Sequence, residues 1–103
     1  MKLSACVIVK NEEENIGTWL SSMKKIADEM IVVDTGSTDR TVEMAKAAGA
    51  RVFHHAWQND FAAAKNCALE KAKGDWILFL DADEYFSPQT IAKVRPLLME
   101  VEK

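Results

Sequence analysis

The sequence predicts an α/β fold in which a parallel sheet of about four strands carries helices on both faces. Short runs of branched aliphatic residues alternate with amphipathic or alanine-rich stretches along the whole chain. Each predicted strand is separated from the next by a predicted helix, which is the connection that parallel pairing needs. The 103 residues, 49% hydrophobic and 28% charged, are sufficient for one ordinary globular domain with a single core.

The first three elements form a strand–helix–strand unit. The stretch Leu3 to Val9 is dominated by valine and isoleucine and predicts a strand. From Glu13 to about Ala27, apolar residues recur every three or four positions, which predicts an amphipathic helix. Met30 to Val33 is a second apolar run and predicts a second buried strand. A right-handed crossover between the two strands is expected.

The second unit begins with a helix whose ends are both marked in the sequence. Ser37 or Thr38 is expected to cap it, because a hydroxyl can accept a bond from an amide of the first turn. The helix should run to Ala48 and stop at Gly49, a residue that adopts the left-handed conformation of a C-terminal cap. The stretch Arg51 to His54 then predicts a third, shorter strand.

The third unit contains the most apolar strand. Phe61 to Ala72 is alanine-rich and predicts a helix that Gly74 ends. The run Trp76 to Leu80 follows and predicts a strand buried on both faces. Ser87-Pro88 is expected to open a last helix, because proline is well tolerated at the first helical position.

Three carboxylates follow the fourth strand within four residues, in Asp81-Ala82-Asp83-Glu84. Left uncompensated, they would repel one another and raise each other's pKa. A hard divalent cation held by oxygen ligands, and carrying a phosphorylated substrate, would relieve that repulsion. A solvated acidic turn is the alternative that this motif alone leaves open.

Polar residues also follow two of the other predicted strands. The first strand leads into the segment 10–15 and the second into the segment 34–39, and both segments carry carboxylates and amides. Ligands of such sheets bind beyond the carboxyl ends of the strands. The alternative for Glu12, Glu13 and Glu14 is a structural one, the stabilisation of a helix N-terminus. Three such segments at one edge favour a binding site.

Charge and hydropathy exclude several classes of protein. The net charge is −3 and opposite charges are interspersed, so no basic surface for nucleic acid is expected. Neither a secretory signal nor a run of about 20 apolar residues is present. Cys6 and Cys67 have the setting of reduced core residues, with a disulfide as the alternative. A cytoplasmic location follows as the expectation.

Three stretches resemble family 2 glycosyltransferases, which have the GT-A fold. They are Val7-Ile8-Val9-Lys10-Asn11-Glu12, then Val33-Asp34-Thr35-Gly36-Ser37-Thr38-Asp39, then the segment from Asn59 through Asp81-Ala82-Asp83. The last of these resembles the family's approach to its metal-binding DxD motif. The likeness spans nearly the whole chain and implies the Rossmann-like, nucleotide-binding N-terminal half of such an enzyme, possibly working at the inner membrane face in the full-length protein.

The resemblance implies a site for a nucleoside-diphosphate sugar, with a UDP-sugar favoured. Asp83 would coordinate Mn²⁺ or Mg²⁺, and Asp81 would support the metal or accept bonds from the ribose hydroxyls. Ala82 lies between them and belongs to the same implied site. The cation would neutralise the charge that develops on the leaving nucleoside diphosphate.

The same resemblance implies the rest of the donor site. Asp34 would accept hydrogen bonds from the nucleoside, and Glu12 with the backbone around Val9 and Lys10 would line the pocket of the base and ribose. Lys65 would neutralise a phosphate, with a solvated charge on the helix surface as its alternative. The acceptor is a glycan, a lipid or a protein.

The chain departs from the family in sequence and in length. Ile8-Val9-Lys10 stands where many relatives have a Pro-Thr-Tyr-like triplet, and Thr35 stands where many have a second aspartate. Family domains with donor and acceptor halves are about twice as long, and the carboxylate that deprotonates the acceptor lies in the second half. Residues 1–103 are therefore interpreted as a single donor domain, a fragment without the catalytic base, whose exposed edge and apolar surface can drive self-association.

Two other functions remain open from the sequence. One is a sugar nucleotidyltransferase, although the glycine-rich basic loop usual after its first strand is replaced here by Lys10-Asn11-Glu12-Glu13. The other is a non-catalytic module that binds a nucleotide or a protein. His54 and His55 are assigned a structural or solvent-exposed role, because neighbours on an extended chain point to opposite sides.

Overall fold

The computed structural model describes residues 2–56 and 61–82, and in them the predicted alternation of strands and helices is confirmed. The elements are β1 (Leu3–Val9), α1 (Ile16–Lys24), β2 (Glu29–Asp34), α2 (Thr41–Ala47), β3 (Arg51–His54), α3 (Phe61–Lys71) and β4 (Trp76–Phe79). The predicted helix at Ser87-Pro88 lies outside the described residues. Within those residues no helix is long and apolar enough to cross a bilayer.

The described strands are all parallel and lie in the order β3-β2-β1-β4. The chain builds the sheet outward from β1 to β3 and then crosses back through α3 to place β4 on the other side of β1. The strand order therefore reverses between β1 and β4. In an open parallel sheet, such a reversal leaves a crevice at the carboxyl ends of the strands, where ligands bind.

Alternate residues of each strand enter two apolar layers, one on each face of the sheet. On one face, Val7 and Val32 pack with Trp19 of α1 and Ala45 of α2. The opposite layer contains Cys6, Ile31, Val33 and Ala68, the last from α3. The prediction of helices on both faces is confirmed. Cys6 and Cys67 are free thiols, as expected.

The start of α2 differs from its prediction. The helix begins at Thr41, where the carboxylate of Asp39 accepts the backbone N–H at 2.9 Å. Ser37 and Thr38, which were expected to cap the helix, lie in the preceding loop and bond to Asn11 instead. The bonds from the neighbouring loop therefore outweigh the local capping preference. Gly49 has a φ of 90°, the left-handed conformation predicted for the end of this helix.

Burial of β4 is less complete than its sequence predicts. Ile77 remains 42% exposed, and Trp76, Leu78 and Phe79 are half-buried. Among the described strands, β4 pairs with β1 and lies at an edge of the sheet. An edge strand lacks neighbours on one side, so apolar composition alone did not secure full burial.

Candidate functional site

The loops that follow β1 and β2 are joined by hydrogen bonds at the carboxyl edge of the sheet. Asn11 has a φ of 53°, and from this left-handed conformation its N–H donates to the Ser37 hydroxyl at 2.9 Å. Its side-chain oxygen accepts the N–H of Thr38 at 2.8 Å. The N–H of Glu12 donates to the Thr41 hydroxyl at 2.8 Å. These contacts hold the two loops in one arrangement.

Asp34 ends β2 and lies beneath this pair of loops, only 4% exposed. Its carboxylate accepts the N–H groups of Gly36 at 3.3 Å and Ser37 at 3.2 Å. The Nδ1 atom of His54 lies 3.4 Å from the same carboxylate. Most of the hydrogen-bonding capacity of Asp34 is therefore used within the protein, to shape the turn that follows β2.

Thr35 connects the same turn to β1. The carbonyl of Val9 accepts both the N–H and the hydroxyl of Thr35, each at 3.0 Å. The Thr35 side chain is nearly buried at 6% exposure. The threonine that replaces the family's second aspartate is thus a structural fastener, and the Val9 carbonyl is taken up by it.

A pocket of about 380 Å³ opens at this edge, beyond the ends of β2 and β3. Its lining comprises Lys10, Asp34, Thr35, Gly36, His54, His55 and Ala56. Of the residues predicted for the donor site, the pocket brings together Lys10 and Asp34. It adds His54 and His55, to which the sequence had assigned a structural or solvent-exposed role.

Glu12 and Lys65 were predicted for the same site, and neither lines this pocket. The carboxylate of Glu12 accepts a bond from the side-chain amide of Asn15 at 3.1 Å. Lys65 is exposed on α3, and its Nζ atom lies 5.3 Å from the centre of the Phe79 ring. Since Phe79 ends β4, Lys65 is placed beside the strand that leads into Asp81.

The exit of β4 is held by α1. The indole N–H of Trp19 donates to the carbonyl of Leu80 at 2.9 Å, and Trp19 itself is fully buried. Ala82 is 6% exposed and packs in the same apolar layer as Trp19. Asp81, between Leu80 and Ala82, is exposed. The core therefore anchors both neighbours of Asp81 and leaves its carboxylate at the surface.

The predicted cation site can be tested only in part. Asp83 lies outside the described residues, and within residues 2–56 and 61–82 no three potential ligands gather into a metal-binding group. Asp81 offers the hard oxygen donor that Mn²⁺ and Mg²⁺ prefer. The described part of the chain thus fits such an ion through one carboxylate, with the remaining ligands supplied from elsewhere.

Three contributors to this edge escaped prediction. Asn11 carried a weak signal, because asparagine tolerates positive φ better than most residues. Trp19 was predicted only as a core residue, since a helical apolar pattern does not reveal which backbone carbonyl its N–H will meet. His55 carried no signal, because its place in the pocket depends on the packing of β3 against β2.

The comparisons with known proteins agree with this architecture. A TPR repeat-containing protein of Synechococcus elongatus is 46% identical over 101 residues, which cover 98% of this chain and 25% of that protein. An uncharacterized glycosyltransferase of Rickettsia bellii is 46% identical over 88 residues, which cover 85% of this chain and 30% of the relative.

A solved structure extends the comparison to three dimensions. Glucosyl-3-phosphoglycerate synthase of Mycobacterium tuberculosis, crystallised with Mn²⁺, UDP and glucosyl-3-phosphoglycerate, superposes with a TM-score of 0.70 at 28% identity, covering 82% of this chain and 35% of that one. The chain spans between a quarter and about a third of these proteins. Residues 4–102 match the family described as Glycosyl transferase family 2. This chain therefore belongs to glycosyl transferase family 2.

Proposed function

We propose that this chain is the donor-binding half of a glycosyltransferase. It binds a nucleoside-diphosphate sugar, with a UDP-sugar favoured, through Mn²⁺ or Mg²⁺, for transfer of a hexose to an acceptor hydroxyl. The observation that carries the proposal is the pocket at the carboxyl edge of the sheet, lined by Lys10, Asp34 and the two histidines. This is the edge at which open parallel sheets bind nucleotides.

The proposed roles divide along the edge of the sheet. The nucleoside occupies the pocket beyond β2 and β3, and the exposed Lys10 reaches the diphosphate. Asp81 and Asp83 hold the cation, which when bound neutralises charge on the diphosphate. Lys65 lies beside the β4 exit and adds positive charge near the same group. Glu12 and the backbone of Val9 and Ala82 support the walls.

The acceptor half of the reaction belongs to residues beyond this chain. Deprotonation of an acceptor hydroxyl requires a general base in the assembled site. The chain spans about a third or less of its relatives, so the base and the acceptor pocket are assigned to the remaining length of the full protein. The acceptor is a glycan, a lipid or a protein. Residues 1–103 act as one donor domain.

Calorimetric titration tests this function directly. UDP and GDP are titrated into the 103-residue chain with and without Mn²⁺, and the titrations are repeated on Asp83→Ala and Asp81→Asn. We expect UDP binding that depends on the metal and falls at least tenfold in Asp83→Ala. Glu70→Gln, on the exposed surface of α3, is the matched control for loss of a carboxylate. Binding that is absent from a folded wild-type chain, or indifferent to metal and to both aspartates, would contradict the proposal.

A further inference from the structure

We infer that His55, and not Asp34, supplies the side-chain hydrogen bond that recognises the nucleobase in the pocket at the carboxyl edge. The inference rests on the proposed function, since it assigns a residue within the proposed donor site. It differs from the role that the family resemblance implies for Asp34. The argument depends on which polar groups of the pocket are already bonded within the protein.

Most polar groups of the pocket are committed to the fold. The Asp34 carboxylate accepts from Gly36 and Ser37 and lies 3.4 Å from His54 Nδ1. The Thr35 hydroxyl donates to the Val9 carbonyl. Lys10 is exposed at the end of β1, and a flexible ammonium suits a phosphate better than the edge of a base.

His55 differs from these groups. Its Nε2 atom is buried and has no hydrogen-bond partner among the described residues. A buried polar atom without a partner is costly, and such atoms in folded proteins call for an explanation. A ligand in the pocket that His55 lines would provide the missing partner.

The position of His55 is also set by the sheet. Its backbone N–H donates to the carbonyl of Asp34 at 2.8 Å, which extends the pairing of β2 with β3 by one residue. His54 lines the same pocket, but its side chain is 64% exposed and its Nδ1 faces Asp34. The two neighbours therefore have separate roles, with His54 beside the carboxylate and His55 available to a ligand.

The chemistry of an imidazole suits a pyrimidine base. A neutral imidazole has one N–H donor and one acceptor nitrogen, so Nε2 either donates or accepts. The imide edge of uracil carries carbonyl acceptors on either side of an N–H donor, and it satisfies Nε2 in either tautomer. His55 is therefore expected to contribute to the affinity for the base and nothing to the affinity for the diphosphate.

Substitutions at His55 separate recognition of the base from a structural role. UDP and inorganic pyrophosphate are titrated with Mg²⁺ into the wild-type chain, His55→Phe and His55→Gln. We expect His55→Phe to weaken UDP at least tenfold and pyrophosphate less than twofold, because pyrophosphate has no base. His55→Gln keeps an amide near the position of Nε2 and should recover part of the affinity for UDP. His54→Phe, in the same pocket, is the control and should change the affinity for UDP less than threefold.

Each outcome decides between the inference and the proposed function. A wild-type chain that is folded and binds no UDP would overturn both. Wild-type binding that His55→Phe leaves unchanged, or a variant that loses UDP and pyrophosphate equally, would overturn the inference and leave the proposed function standing. As a second measurement, uridine added to ¹⁵N-labelled protein should shift the His55 imidazole resonances, and unmoved resonances would overturn the inference.

Discussion

Glu29 shows how one carboxylate can join four parts of the fold at the amino edge of the sheet, opposite the pocket. From β2 it accepts bonds from the Ser4 hydroxyl of β1 at 2.5 Å and from Arg51 of β3 at 3.0 Å. It also accepts the backbone N–H of Lys73 at 2.6 Å, in the turn before β4. Because ligands of such sheets bind at the opposite edge, we assign this carboxylate to stability and not to substrate binding.

These contacts make the stability of the protein depend on pH. Burial raises the pKa of Glu29, but the bonds from Ser4, Lys73 and Arg51 outweigh it and hold the pKa below the ordinary value of 4.5. A carboxylate with a lowered pKa in the folded state stabilises the fold above its unfolded pKa. That contribution is lost as the pH falls from about 4.5 through the lower, folded value.

Urea unfolding at pH 7 and pH 3 measures the effect. We expect the free energy of unfolding to be lower at pH 3, and Glu29→Gln to lose about 1–3 kcal/mol at pH 7 with a smaller difference between the two pH values. Glu70→Gln is the control on the exposed surface of α3. A pH dependence equal in the wild type and Glu29→Gln would count against this assignment.

At the scale of secondary-structure elements, the contact of α1 with β4 determines where the acidic motif begins. The last backbone contact of the strand is weak, since the N–H of Leu80 lies 3.4 Å from the carbonyl of Cys6. The bond from Trp19 to the carbonyl of Leu80 is shorter, at 2.9 Å. Trp19 is thus a positioning residue, which acts on Asp81 through the backbone.

Replacement of Trp19 by phenylalanine keeps an apolar ring and removes the N–H donor. We expect Trp19→Phe to cost about 1–3 kcal/mol of stability, from the unpaired carbonyl and the smaller ring. Hydrogen exchange at Asp81 and Ala82 should accelerate, and metal-dependent UDP binding should weaken several-fold. Ile31→Val, a buried truncation in the opposite apolar layer, should lower stability without either local effect. Equal exchange rates in both variants would refute the positioning role.

At the scale of the whole molecule, the described sheet leaves apolar surface near one edge. Ile77 of β4 is 42% exposed and Leu69 of α3 is 37% exposed. The chain covers about a third or less of its relatives, in which further residues are available to cover such surface. Exposed strand edges and apolar patches favour association between molecules.

We therefore predict that the isolated chain self-associates as its concentration rises. Size-exclusion chromatography with light scattering should give a mass that increases above the 11.5 kDa of one chain. Ile77→Lys should restore the monomer, because an edge-strand lysine opposes pairing between sheets. Glu70→Lys, also on the surface but outside the strand, should leave association unchanged. A wild-type chain that stays monomeric at high concentration would contradict the prediction.

The accuracy of the sequence-based prediction follows the range of the interactions involved. The limits of β1 and β3 were predicted to the residue, because strand residues are selected by apolar pattern over a few positions. The capping roles of Ser37 and Thr38 were wrong, because both residues bond to Asn11, 26 or 27 positions away. The roles predicted for Asp81 and Asp83 stay predictions, and Asp83 lies outside the described residues.

By itself, the sequence determined the fold class, the family and the edge at which polar residues collect. Each of these is encoded in local patterns, the alternation of apolar runs and the acidic segments that follow them. Only the tertiary structure decided which of those polar groups are available to a ligand. Hydrogen bonds between distant loops occupy most of the Asp34 carboxylate, whereas the packing of β3 against β2 places His55 in the pocket with its Nε2 atom unbonded to any described residue.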